Sequence, residues 1–306
     1  MLFESASVEA VQNAFPEWMA FLFAFLSYLG SVWFVAPTVI LAYWLVDRHR
    51  FAPWLGIVIG GYAIMVGLKG YFTVERPGVG PTIAPESLPP VLSHLYAPAV
   101  EVGTTSFPSG HAIAGTVIWT MLVLETDLGS KRARYAAGAV VISLVGFSRI
   151  GVGLHYPIDV AVGTGVALAY LLAVLSVTRR LADRGPHAAT TGVFVTVAAI
   201  SVCSLLVGNR LDAAALLGGA IGSLVVWQYV PPARTGWSMT IRTVAQLLIG
   251  LSVLGAAAGL LILFESYLVW FLVGLVAGGI VLALPQFGTD GAAASTNANG
   301  SPGTIR

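Results

Sequence analysis

Nine mostly apolar stretches, separated by short polar breaks, constrain this chain more than any other feature. A helix needs about 20 such residues to cross a bilayer. The stretches lie within Trp18–Leu45 and at about Trp54–Tyr71, Ala112–Leu124, Tyr135–Phe147 and Ile158–Val177, then at Gly192–Val207, Ala213–Trp227, Val244–Phe264 and Leu268–Leu284. The first is long enough to include an interfacial lead-in, and two short ones have flanks apolar enough to extend them. Charged residues make up only 9% of the 306 and hydrophobic ones 57%, whereas a soluble domain carries roughly 25% charged residues. Disorder is excluded because disordered chains are polar or highly charged. The single Cys203 excludes a disulfide scaffold and does not identify a redox compartment. A net charge of +1 without a basic patch argues against nucleic-acid binding. The expected fold is all-α: a polytopic transmembrane helical bundle of five core spans and four C-terminal spans.

Lys and Arg in short loops set the orientation. Eleven of the fifteen basic residues fall in alternate loops and at the C-terminal end: Arg48, Arg50, Lys131, Arg132, Arg134, Arg179, Arg180, Arg184, Arg234, Arg242 and Arg306. That side is read as cytoplasmic, with the N-terminus outside and the C-terminus inside. Lys69, Arg76, Arg149 and Arg210 fall on the other side, against the topology signal. Snorkelling to lipid phosphates is the simplest reason for any one of them, but three of the four sit in patterned company.

Four segments are expected. Residues 1–16 form an N-terminal segment in which Glu4–Phe15 could lie on the surface as an amphipathic helix. Its acidic start (Glu4, Glu9, Glu17) does not read as a signal peptide. Residues 17–185 form the core, ending at the polar break Arg179–His187. Residues 188–285 form a four-helix extension, and 286–306 a small, polar tail expected to be disordered. The GxxxG pairs Gly56/Gly60, Gly218/Gly222, Gly255/Gly259 and Gly274/Gly278 read as ordinary helix packing. The sequon at Asn299 lies on the cytoplasmic side and reads as chance.

Three segments on the outer side hold most of the unusual polar residues. Lys69 and Arg76 are seven apart, so they are expected to share a helix face with about 20° of drift, with Pro77 ending the helix at Arg76. Phe107-Pro108-Ser109-Gly110-His111 opens the third span. A helix starting there presents free N–H groups and a positive dipole end, a site suited to phosphate. Gly110 would let a ligand approach the backbone, and Ser109 reads equally as cap or phosphate ligand. In Ser148-Arg149-IGVGL-His155-YPI-Asp159, Gly151 and Gly153 suit a turn and Pro157 suits the first helical position. His155 then precedes the helix, and Asp159 in its first turn can fix the imidazole tautomer. Three cations, two histidines, a carboxylate and a helix N-terminus fit in-line attack on phosphorus, with one His attacking and the other protonating the leaving oxygen. No carboxylate cluster accompanies them, so no metal is expected.

The ordered set Lys-x6-Arg-Pro, Pro-Ser-Gly-His and Ser-Arg-x5-His-x3-Asp resembles the type 2 phosphatidic acid phosphatase and haloperoxidase superfamily over about Phe21–Val177. The resemblance implies a metal- and cofactor-independent membrane lipid phosphatase working through a phosphohistidine at the outer face. By position it makes His155 the nucleophile, Asp159 its partner and His111 the general acid, with Lys69, Arg76, Ser109, Gly110 and Arg149 binding the phosphate. The implied substrate is a phosphorylated lipid such as phosphatidic acid, a phosphatidylglycerophosphate-like lipid or a polyprenyl diphosphate. The rival readings are a phosphotransferase using the same intermediate, and a transporter or lipid-binding protein that keeps the motifs without turnover. Against the transporter, no ionisable residue lies deep in the last four spans. The outer loop Gly78–Phe107, with His94 and Tyr96, reads as a solvated loop or a cover for the site. Asn209, Arg210 and Asp212 read as an ordinary outer turn, and His49 and His187 carry no role.

Overall fold

A computed structural model describes residues 3–101, 103–208, 210–229 and 241–286. The tail after Gln286, together with Asn209, Arg234, Asn299 and Arg306, lies outside the described residues. The chain is a polytopic helical bundle, with no strand among those residues and eight helices long and apolar enough to cross a membrane. The elements are α1 Ser5–Asn13, α2 Met19–Tyr28, α3 Val32–Leu41, α4 Arg48–Phe72, α5 Pro90–Val100, α6 Gly110–Glu125, α7 Lys131–Gly151, α8 Pro157–Leu181, α9 Pro186–Gly208, α10 Leu211–Tyr229, α11 Ile241–Leu263 and α12 Tyr267–Ala283. Each of the nine apolar stretches lies in this helical framework, with α6 the short member.

The first span differs from the single helix expected. It breaks at Leu29–Ser31 between α2 and α3, and ends in a π-helical turn, Ala42–Val46. The break is closely packed. A Cβ on Gly30 would lie 2.6 Å from both the His111 carbonyl oxygen and Val145 Cγ1. The first turn of α6 and Val145 therefore leave no room for a side chain at Gly30. Ser31 Oγ donates to the Tyr28 carbonyl at 2.9 Å across the break.

α4 is the central helix. Asp47 caps it, its carboxylate accepting from the Arg50 N–H at 3.0 Å. Glycines on one face of α4 admit α9 alongside. A Cβ on Gly56 would lie 2.8 Å from Val193 Cγ1, and one on Gly67 would lie 2.7 Å from Ser204 Oγ. At the end of the helix, a Cβ on Gly70 would meet the backbone of Gly208 itself. Ser204 Oγ completes the seam by donating to the Ala63 carbonyl at 2.6 Å. Contacts this close maximise dispersion where lipid offers no hydrophobic drive between helices.

The extension is packed the same way. Gly218 and Gly222 of α10 face Phe271 and Leu275, while Gly274 and Gly278 of α12 face Ala215 and Gly219. Gly255 and Gly259 do not follow, since a Cβ on either would meet nothing within 4 Å. The extension shares a core with the preceding helices, in which Val35, Trp54, Ile118 and Tyr170 cluster with Phe194, Trp227 and Leu282. Tyr43 and Trp44 fasten α12 by donating to the carbonyls of Leu282 and Val281 at 3.0 and 2.7 Å.

The α4–α9 seam yields a direct test. Gly70→Val should lower stability by about 1–3 kcal/mol or more, because a backbone blocks the new side chain. Gly165→Val, on an exposed face of α8 with nothing within 4 Å, should leave the melting temperature in detergent nearly unchanged. Equal melting of the two variants would contradict the seam.

Candidate active site

The three motifs converge because the starts of α6 and α8 are tied to each other. The Ser109 N–H donates to the Asp159 carbonyl at 3.0 Å. A Cβ on Gly163 would come within 2.9 Å of the Ser109 carbonyl oxygen, so the lack of a side chain there permits the approach. Ser109 caps α6, its Oγ accepting from the Ala112 N–H at 3.4 Å. Gly110 and His111 then present the first turn of α6 to a cavity of about 210 Å³, also lined by Lys69, Arg76, Arg149 and His155.

Lys69 is buried in the last turn of α4. Its ammonium donates to the carbonyls of Thr105 and Ser106, the latter at 3.3 Å. Arg76 does not share a helix face with it. α4 stops at Phe72, Thr73 turns left-handed with φ 43°, and Arg76 follows on non-helical chain before Pro77. The pre-proline restriction at Arg76 is consistent with an extended approach, and the turn at Thr73 brings the side chain back. Its Nε donates to the Thr104 carbonyl and its Nη1 to the Leu154 carbonyl, each at 2.7 Å.

Arg149 lies fully buried in the last turn of α7. Its Nη1 donates to the Ala99 carbonyl at 2.9 Å, while Nε and Nη2 have no partner among the described residues. A buried donor left unpaired costs about 1–3 kcal/mol, more when charged, so two such donors beside a cavity suit an anion.

His155 lies between α7 and α8. The chain reaches it through Gly153, whose φ of +79° favours glycine, and Pro157 then opens α8. His155 Nδ1 is 3.2 Å from Asp159 Oδ2. The same oxygen accepts from the Tyr156 N–H at 2.9 Å and from Ser106 Oγ, so Asp159 both caps α8 and orients the imidazole. The network assigns the proton to Nδ1. Nε2, 3.4 Å from Arg76 Nη1, then carries the lone pair. Burial holds the His155 pKa well below the ordinary imidazole value, and Arg149, Arg76, Lys69 and His111 act in the same direction.

Gly110 has a packing role that differs from the one expected. A Cβ there would land on the Met65 thioether, so its small size admits α4 whatever its backbone does for a ligand. The loop Gly78–Phe107 contains α5, which the apolar pattern did not reveal. Tyr96 is buried against α2 and His94 is exposed, its Nδ1 2.6 Å from the Pro90 carbonyl oxygen. The loop buttresses the site through the Ala99, Thr104 and Thr105 carbonyls. Ser106, the hydroxyl on Asp159, was also missed, although the hydroxyl run Thr104-Thr105-Ser106 before the second motif was a visible signal. α1 lies across this end of the bundle, with Val8 buried against Ile150 and Tyr156 and Ser5 Oγ donating to the Pro77 carbonyl at 2.7 Å.

The arrangement can hold a tetrahedral oxyanion among guanidinium, ammonium and backbone N–H donors, with a neutral imidazole nitrogen beside it. Among the described residues no group of three or more His, Cys, Asp or Glu is placed to hold a metal ion. Residues 50–183 match the family model described as the PAP2 superfamily. No curated protein and no solved structure matches the chain.

The depressed His155 pKa has a sign that can be measured. Its 15N-imidazole resonance, assigned by difference with His155→Gln, should titrate below the ordinary value of about 6.5. As pH falls through that value, the unfolded chain takes up a proton that the folded site resists, so this histidine's contribution makes stability fall. A resonance titrating at or above 6.5 would contradict the buried neutral imidazole.

Proposed function

We propose, from the match of residues 50–183 to the PAP2 superfamily, that the chain hydrolyses a phosphorylated lipid at the non-cytoplasmic membrane face through a phosphohistidine. The observation that carries the reading is the His155–Asp159 pair beside a cavity walled by Lys69, Arg76 and Arg149. Its membrane-embedded setting favours a lipid substrate, with the phosphate held at the motif end of the bundle.

In the proposed reaction His155 Nε2 attacks phosphorus. The P–N bond forms, the bond from phosphorus to the leaving oxygen breaks, and His111 gives that oxygen its proton. Asp159 accepts from Nδ1–H and stabilises the positive imidazole of the phosphoenzyme. His111, now neutral, takes a proton from water as the water oxygen attacks phosphorus. The P–N bond breaks, phosphate leaves, and His155 regains its lone pair. Lys69, Arg76, Arg149 and the Gly110 N–H stabilise the equatorial oxygens, with Ser109 at the α6 cap. No metal takes part in this scheme.

Purified protein in detergent with a chelator should release phosphate from phosphatidic acid, a phosphatidylglycerophosphate or a polyprenyl diphosphate. His155→Ala, with an unchanged melting temperature, should abolish release. Substantial release by that variant would remove His155 as nucleophile. Loss of activity in chelator, restored by a divalent ion, would overturn the metal-free scheme.

A further inference from the structure

Arg210, the fourth basic residue on the motif side, lies outside the family-matched region, yet both it and Asp212 line the same cavity as Lys69, Arg76, Arg149 and His155. The α4–α9 seam delivers it there. Gly208 ends α9 against the backbone of Gly67 and Gly70, one residue from Lys69, and Arg210 follows two residues later. Its position is therefore set by backbone contact at the helix end that carries the site.

Arg210 Nε and Nη2 both donate to Asp212 Oδ2, at 3.2 and 2.9 Å. The two side chains keep 32% and 38% of their exposure, respectively. An exposed pair of this kind contributes only about 0–1 kcal/mol. Arg210 can therefore exchange Asp212 for a stronger anion at little cost, and its planar fork matches phosphate. The three motif cations already answer one phosphoryl group, which carries about −1.5 to −2 at pH 7. Arg210 lines the same cavity of about 210 Å³ as those three, so an anion bound to it lies close to the first. Two phosphates joined through one bridging oxygen meet that condition.

We propose that Arg210, held ready by Asp212, binds the second phosphoryl group of a lipid diphosphate and makes the C-terminal extension the part of the protein that selects diphosphate over monophosphate. This rests on the phosphatase reading only for the statement that the ligand is also turned over.

The test uses the full chain in detergent, with a prenyl diphosphate and the prenyl monophosphate of the same tail. Binding of inorganic pyrophosphate and of inorganic phosphate is measured separately by calorimetry. In Arg210→Gln the ratio of kcat/KM for diphosphate over monophosphate should fall about tenfold or more, the value of one charge-assisted hydrogen bond. The ratio of pyrophosphate to phosphate affinity should fall alongside it. Arg210→Lys, which keeps the charge without the fork, should fall in between, and it replaces the glutamine variant if that fails to fold. A ratio within twofold of wild type would overturn the proposal, whether both ligands weaken together or neither does. Wild-type protein that turns over neither these lipids nor phosphatidic acid nor a phosphatidylglycerophosphate would sink the phosphatase reading alone; the pyrophosphate-to-phosphate ratio would still decide this one.

Discussion

Like charges gathered in an apolar bundle repel one another, and the architecture of the motif end is organised around that constraint. At an effective dielectric of about 20, two unit charges about 6 Å apart cost roughly 3 kcal/mol. Lys69, Arg76, Arg149 and Arg210 nevertheless share one cavity. Oxygen atoms offset part of the cost. The loop before α6 turns the carbonyls of Thr104, Thr105 and Ser106 toward Lys69 and Arg76, Ala99 serves Arg149, and Asp212 serves Arg210. The unpaired donors of Arg149 show where the compensation stops. A polyanion would supply the remainder, which makes the cluster's cost to folding part of its capacity to bind.

Such a cluster needs walls that do not yield. They come from helices brought closer than ordinary side chains allow, at Gly30 against α6, at Gly163 against the start of α6, and along Gly56, Gly67 and Gly70 against α9. Each contact substitutes backbone for side chain at an interface, where little rearrangement is available. The seam between α4 and α9 also joins the extension to the family-matched region, so the extension shares its core, and Arg210 and Asp212 at the start of α10 line its cavity.

The imidazole at the centre of the proposed chemistry is governed by one carboxylate oxygen. Asp159 Oδ2 receives the Tyr156 N–H, the Ser106 hydroxyl and His155 Nδ1. Capping a helix and choosing a tautomer are thereby the same set of bonds. Burial first, and then the surrounding cations, favour the neutral ring. Anionic ligand would relieve that bias, so the ring's proton affinity and phosphate occupancy are coupled.

By itself the sequence determined the helical class, the apolar stretches and the residues of the three motifs, because each is written locally. Spans follow from runs of apolar residues that must satisfy their own backbone in lipid. Pro157, Gly153 and the Ser109 cap state their conformations within a few residues. Three of the four basic residues that opposed the topology signal already stood in patterned company. Only the tertiary structure decided the rest, since those features depend on residues far apart in the chain. Gly30 has no room for a side chain because the first turn of α6 lies against it. The left-handed turn at Thr73 returns Arg76 from non-helical chain rather than from a helix face. The placement of Ser106 on Asp159 and of Arg210 in the cavity depends on loops and helix ends meeting across dozens of residues. Periodicity reports which face of a helix is apolar, but not which distant backbone will lie against it.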